Sequence, residues 1–91
     1  MNLHASDRKN IWHPFTPLVD GTEALLVESA NGVYLNLNDG RKIIDAVSSW
    51  WVNLHGHSHP AIANAIAEQA KKLEHVIFAG FTHAPAIQLA E

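Results

Sequence analysis

The sequence has no cysteine and few charged residues, and each shortage excludes a class of protein. Without cysteine, a disulfide framework, a thiolate metal site and a cysteine nucleophile are excluded together. Charged residues make up only 16% of the 91 residues, and six Lys and Arg against nine Asp and Glu give a net charge of −3. Because no basic block is present, the electrostatic footprint of a nucleic-acid-binding protein is missing.

Long apolar runs are also absent. The uninterrupted apolar stretches fall far short of the about 20 residues that span a membrane, and the first residues lack the pattern of a secretory signal peptide. We therefore expect no membrane partner and a cytoplasmic location.

The apolar content is 47%, in a chain long enough for one small domain. Alternation of apolar and polar residues with a period of two predicts strands over 25–28, 33–37 and 43–47. Turn-forming residues at 30–32 and 38–40 separate these strands, which predicts a three-stranded antiparallel meander. Helical patterns on both sides of the meander make the predicted fold class α+β.

The helical patterns have recognisable starts. Ser6 is predicted to cap a short helical turn that ends before Pro14, and Pro60 suits the first turn of a longer helix. Thr82 is predicted to cap a last helix. That last pattern reaches Glu91 without a C-cap, so we expect the chain to be the N-terminal piece of a longer protein.

Seven histidines are the compositional oddity. His55, His57 and His59 alternate, and in an extended segment three imidazoles on one side offer a zinc site. A structural role is the favoured alternative, because cysteine and a nearby carboxylate are lacking and the Gly and Pro of the segment favour a turn. No nucleophile–base–acid triad, dinucleotide fingerprint or P-loop is recognisable, so no complete active site is predicted.

Two adjacent tryptophans, Trp50 and Trp51, lie in a segment, 48–59, that is predicted to be a loop. Two rings in succession cannot both point inward from an extended backbone, so at least one is expected to face a ligand, a neighbour or a partner subunit. An exposed ring offers a stacking surface for a flat or cationic group. Trp12 and Phe15 are predicted to form a second aromatic pair in the irregular N-terminal arm.

Five segments, taken together and in order, resemble one family. They are Ile-Trp-His-Pro-Phe-Thr at 11–16, Asn-Asp-Gly-Arg at 38–41, Asp-Ala-Val-Ser-Ser-Trp-Trp at 45–51, His-Gly-His-Ser-His-Pro at 55–60 and Thr-His-Ala-Pro-Ala at 82–86. The pattern covers nearly the whole chain. It is similar to the N-terminus of the class III pyridoxal-phosphate-dependent aminotransferases, in particular those of biotin synthesis.

The resemblance implies part of a type I aminotransferase fold that works as a homodimer. It implies an N-terminal arm at 1–23 and a small-domain segment at 24–82, which contains the meander and a helix. Residues 83–91 then start a helix that leads into a large domain.

The resemblance also implies site residues. Trp50 and Phe15 are expected to shape the substrate pocket, with Trp51 beside them. Ile77 and Ala79 are expected to belong to a loop that approaches the active site of the partner subunit.

The implied reaction is amino transfer to 8-amino-7-oxononanoate, which gives 7,8-diaminononanoate, with pyridoxal 5′-phosphate as cofactor and S-adenosylmethionine as the expected donor. In this family the Schiff-base lysine, its partner aspartate and the phosphate contacts lie beyond residue 91. We therefore expect no catalytic, cofactor-binding or metal-binding residue among these residues, which alone are expected to be inactive. Phe15 stands where many users of S-adenosylmethionine have tyrosine, which leaves lysine as an alternative donor. Another class III aminotransferase and a histidine-rich metal-binding or interaction module are further alternatives.

Overall fold

A three-stranded antiparallel sheet lies in the first of two units, 1–57 and 58–91, into which the computed structural model of residues 1–91 divides. Its strands follow one another in the order β1-β2-β3. They are β1 Val27–Asn31, β2 Tyr34–Leu37 and β3 Lys42–Ile44. The structure confirms the predicted meander and the α+β class.

All three strands differ from their predicted bounds, β2 by one residue at its start and β1 and β3 by up to three residues. β1 lies later than 25–28, because pairing continues as far as Asn31 opposite Tyr34, whereas the register is irregular near Val27. β3 ends before residue 47, since the chain leaves the sheet after Asp45, whose N–H donates to the Val33 carbonyl at 2.8 Å. The alternation identified the strands, but turn geometry decided where pairing stops.

Little of the first unit is buried. Leu37 in β2 is the one buried hydrophobic residue of the chain, with 3% of its surface exposed. Within this unit the strands pack on one another but on no helix. Backbone pairing and turns, rather than a packed core, therefore hold the sheet together.

Two helical segments complete the first unit, α1 Leu3–Asn10 and the single turn α2 Ser48–Trp51. The prediction that Ser6 caps the first helix is wrong. Asn2 is the N-cap, and its side-chain oxygen accepts the Ala5 N–H at 3.1 Å. An Asn carboxamide caps a helix as well as a serine hydroxyl does, so α1 begins at the earlier of the two capping residues.

The second unit contains α3 Pro60–Lys72 and α4 Ala84–Ala90. Pro60 occupies the first turn of α3 as predicted, because its missing N–H needs no partner there. α4 begins later than expected, since His83 and not Thr82 is its N-cap, and Pro85 fixes the backbone of its first turn. No helix in either unit is both long and apolar enough to cross a membrane.

Candidate functional site

The turn α2, Ser48–Trp51, winds left-handed. Its four residues all have positive φ, between 47° and 68°. The inner two, Ser49 and Trp50, have ψ of 52° and 51°, and the Trp51 N–H donates to the Val47 carbonyl at 2.9 Å. For residues other than glycine this conformation costs roughly 1–2 kcal/mol each, so surrounding contacts must hold it.

Asp45, which directly follows β3, provides those contacts. Its Oδ1 accepts the Ser49 N–H at 3.0 Å, and its Oδ2 accepts the Ser49 hydroxyl at 2.7 Å. The same Oδ2 accepts the Nε2–H of His57 at 2.7 Å. These three side chains form the Asp45 network, which joins the turn to a residue 12 positions from Asp45 along the chain.

The Asp45 network is shielded from solvent. Only 7% of the Asp45 side chain and 14% of the His57 side chain are exposed. Hydrogen bonds from the Ser49 N–H and hydroxyl, and then from His57, lower the pKa of Asp45 from 3.8 to about 2. Desolvation acts in the opposite direction, so hydrogen bonding to the ionised form dominates. At neutral pH Asp45 is therefore a carboxylate that accepts from both partners.

His57 reaches Asp45 because its backbone is bridged to the turn between β1 and β2. Gly32 and His57 exchange two backbone hydrogen bonds, of 2.8 and 3.1 Å. Gly56 has a φ of +81°, and a Cβ built on it would stand 3.1 Å from the Cα of Gly32. Glycine at position 56 meets both demands, a positive φ and a close backbone approach.

Three aromatic side chains, two of them on the left-handed turn, lie at the surface. Trp50 and Trp51 are 61% and 76% exposed. Phe15, from the N-terminal arm, contacts Trp50 with ring centroids 5.2 Å apart and an interplanar angle of 44°. This centroid separation is within the range of interacting aromatic pairs. Phe15, Trp50 and Trp51 form the aromatic patch.

The expected pairing of Phe15 with Trp12 is wrong. Phe15 has a φ of 52°, and its ring contacts that of Trp50. Trp12 is 86% exposed and instead lines a cavity of about 510 Å³ between α1 and the segment that follows residue 15. Neither Phe15 nor Trp50 lines that cavity.

Serine, histidine and aspartate meet in the Asp45 network without forming a catalytic triad. In a triad the serine hydroxyl donates to a histidine that the aspartate orients. Here Ser49 and His57 both donate to Asp45, so no base receives the serine proton. The fold thus supplies the carboxylate that the histidine run lacks in sequence. No group of three His, Asp or Glu side chains is arranged to hold a metal ion.

Ile77 and Ala79 lie in the second unit, in the segment between α3 and α4. Both are exposed, Ile77 by 60%. The chain turns beside them, where the Gly80 N–H donates to the Phe78 carbonyl at 3.0 Å, and the ring of Phe78 meets that of His83 edge-on with centroids 5.2 Å apart. Their place in a loop that faces a partner subunit stays a prediction.

Sequence reasoning identified the two tryptophans but missed the network beneath them. The Asp45 to Ser49 spacing is a usable signal, because aspartate side chains commonly accept N–H groups a few residues further on. No pattern in the sequence links either residue to His57.

Comparison with known proteins identifies the class. Residues 18–91 match the family described as Aminotransferase class-III. The chain belongs to the class III aminotransferase family. A relative in Synechococcus elongatus, 58% identical over 81 residues, is named adenosylmethionine-8-amino-7-oxononanoate aminotransferase, and the match covers 89% of this chain and 19% of that protein.

Solved structures agree with this assignment. The adenosylmethionine-8-amino-7-oxononanoate aminotransferase of Methanocaldococcus jannaschii matches 97% of this chain and 20% of its own, with a TM-score of 0.90 and 41% identity. A transaminase of the marine bacterium Virgibacillus matches 100% of this chain and 21% of its own, with a TM-score of 0.87 and 35% identity. The chain therefore has the fold of one part of these enzymes and spans about a fifth of their length.

Proposed function

We propose that this chain acts as part of a pyridoxal-phosphate-dependent aminotransferase of biotin synthesis, which converts 8-amino-7-oxononanoate to 7,8-diaminononanoate with S-adenosylmethionine as amino donor. The names of the Synechococcus and Methanocaldococcus relatives support this acceptor and donor. Family membership supports the transfer reaction and the cofactor. Because the chain spans about a fifth of these relatives, the activity belongs to the whole enzyme, which we expect to work as a cytoplasmic homodimer.

The observation that carries a substrate-binding role is the aromatic patch. Two of its rings stand on a left-handed turn, and backbone strain of this kind persists where surrounding structure enforces it and clusters at ligand sites. Exposed rings supply an apolar wall for the aliphatic chain of the keto acid. They also offer faces that attract a cation such as the sulfonium of S-adenosylmethionine. In this role Phe15, Trp50 and Trp51 orient substrate and exclude water, and transfer no proton.

The chain's lysines do not fit the role of cofactor anchor. Pyridoxal 5′-phosphate, when bound by the enzyme, supplies the electron sink for amino transfer. A Schiff-base lysine needs a shielded position, but every lysine of this chain is exposed: Lys9, Lys42, Lys71 and Lys72. We therefore propose none of these lysines as the cofactor anchor.

Phe15 makes lysine a second candidate donor. Its ring lacks the hydroxyl that a tyrosine offers to substrate, and a site built around such a bond discriminates strongly between substrates that can and cannot make it. The adjacent tryptophans favour S-adenosylmethionine, because a sulfonium cation gains from aromatic faces. Donor specificity of the enzyme decides between the two.

The segment assignments form part of the same proposal. Residues 1–23 act as an arm that brings Phe15 to the pocket, and 24–82 form the small-domain segment. Residues 83–91 begin the helix that leads to the large domain. Ile77 and Ala79 face the active site of the other subunit, a role that their surface exposure permits.

The test is the specificity of the purified enzyme that carries this chain. We expect amino transfer from S-adenosylmethionine to 8-amino-7-oxononanoate, followed by the absorbance of the bound cofactor and by product formation. Trp50→Ala should raise the KM for the keto acid by roughly fivefold to tenfold, because an aromatic contact is worth about 1 kcal/mol and the apolar surface of the ring is lost as well. Trp12→Ala is the matched control, since Trp12 is also exposed but lies outside the patch.

Two outcomes would contradict the proposal. One is an enzyme that binds pyridoxal phosphate but shows no half-reaction with either donor. The other is an enzyme that accepts a donor but forms no product from the keto acid.

A further inference from the structure

We propose that Asp45, Ser49 and His57 are positioning residues, whose network holds the left-handed turn that presents Trp50 and Trp51 to substrate. This role rests on the proposed function of the aromatic patch. It adds residues that act through the tryptophans rather than on the substrate.

The two hydrogen bonds between Asp45 and Ser49 favour the left-handed conformation of the turn. Both oxygens of Asp45 are engaged, one by the Ser49 N–H and the other by its hydroxyl. A right-handed or extended turn would carry these two donors away from the carboxylate and leave a shielded acceptor unsatisfied. The cost of unwinding the turn therefore opposes the strain of its four positive φ angles.

The network is tied to the hairpin between β1 and β2 at two points. The Asp45 N–H donates to the Val33 carbonyl at 2.8 Å. His57, whose ring donates to Asp45, is bridged to Gly32 through two backbone bonds. The position of the tryptophans is therefore set by the sheet, the most regular part of the first unit, rather than by the loop that carries them.

The indole pair gives a direct readout of the turn. Trp50 and Trp51 are neighbours on a backbone of fixed, left-handed geometry, so their coupled far-ultraviolet transitions should produce an exciton couplet in circular dichroism. Unwinding the turn changes the angle between the indoles and hence the couplet. This signal depends on the geometry of the turn and not on catalysis.

The first experiment compares Asp45→Asn with Asp39→Asn in the pyridoxal-phosphate-loaded enzyme. We expect Asp45→Asn to raise the KM for 8-amino-7-oxononanoate several-fold and by no more than Trp50→Ala does, because the network acts through the tryptophans. We expect kcat to change less and the couplet to weaken. Asp39→Asn removes a similar but exposed acceptor and should leave the KM and the couplet unchanged.

Two further variants separate positioning from simple loss of stability. His57→Gln keeps an N–H donor and should retain more of the couplet than His57→Leu. Ser48→Gly should partly restore the KM and couplet of Asp45→Asn, because glycine adopts the positive φ of residue 48 without strain and the turn then needs less support. If Asp45→Asn fails to fold, Ser49→Ala, which loses only the hydroxyl bond, takes its place in the comparison.

An unchanged KM and couplet in folded Asp45→Asn enzyme overturns the proposal, and so does a failure of Ser48→Gly to restore either. If the unmodified enzyme does not aminate the keto acid, the proposed function fails instead. The couplet then still decides whether the network holds the turn.

Discussion

Two aspartates of the first unit make similar hydrogen bonds in different surroundings. Asp39, in the turn between β2 and β3, accepts the Arg41 N–H at 3.0 Å and its Nε–H at 2.7 Å. Asp45 accepts the N–H and the hydroxyl of Ser49 at the same two distances. In both cases hydrogen bonds to the ionised form lower the pKa of the carboxyl.

The difference lies in exposure and reach. The Asp39 and Arg41 side chains are 46% and 60% exposed, and their contact spans two residues. The Asp45 side chain is 7% exposed and takes a further bond from His57, 12 residues away. An exposed ion pair contributes little to stability, whereas a shielded network fixes where distant segments lie. The same local motif joins distant segments only where tertiary contacts extend it, as His57 does at Asp45.

The largest difference between the Asp39 turn and the Asp45 network is expected in the unfolding free energies of variants at Gly40 and Gly56. Gly40 and Gly56 have similar φ, +85° and +81°, but only Gly56 has a backbone atom within 4 Å of the site of an added Cβ. Gly40→Ala should cost about 1 kcal/mol in unfolding free energy for the conformation alone, and Gly56→Ala about 2–3 kcal/mol because the bridge to Gly32 must also shift. Denaturant unfolding measures both. Equal losses of unfolding free energy would show that the Gly32–His57 bridge shifts without cost, contrary to this prediction.

A smaller effect is expected from acid. The pKa of Asp45 is about 2 in the folded state against 3.8 for an unperturbed aspartate. Its stabilising contribution is therefore complete above about pH 4 and is lost as the pH falls through about 2. Asp45→Asn should remove this part of the acid dependence of the unfolding free energy, and Asp39→Asn should remove less. If Asp39→Asn flattens the pH dependence more, the ranking of the two sites is wrong.

The smallest effect is expected at the exposed pair. Arg41→Gln should change the thermal midpoint by less than about 2 °C, because an exposed ion pair contributes little. Ser49→Ala, which deletes one hydroxyl from the shielded network, should lower the midpoint by more. A larger loss from Arg41→Gln would remove the distinction between the two aspartates.

The parts of the fold that depend on nearby residues were predictable. Alternation gave the three strands, turn residues gave the meander, and Pro60 marked the start of α3. Each of these signals acts within a few residues, so the sequence contains all that is needed to recognise it. Helix starts were less certain, because Asn2 and Ser6 are equally good caps and only one of them begins α1.

The support of the candidate site was not predictable in this way. Phe15 contacts Trp50 rather than Trp12, which is nearer in sequence. Asp45 likewise bonds to His57, 12 residues further along the chain. Apolar periodicity reports only regular helices and strands, and the four successive positive φ angles at 48–51 belong to neither. Phe15 also has a positive φ, which a periodic pattern does not reveal.

The sequence by itself determined the α+β meander and the proline-led start of α3. It also contained two adjacent tryptophans, of which at least one was expected to face a ligand, a neighbour or a partner subunit. It also carried the motifs that resemble class III aminotransferases. Only the tertiary structure decided that those tryptophans stand on a left-handed turn and that Asp45 and His57 hold it. The physical reason is that strands and helix caps depend on neighbours in sequence, whereas a strained turn persists only where distant hydrogen bonds oppose the strain.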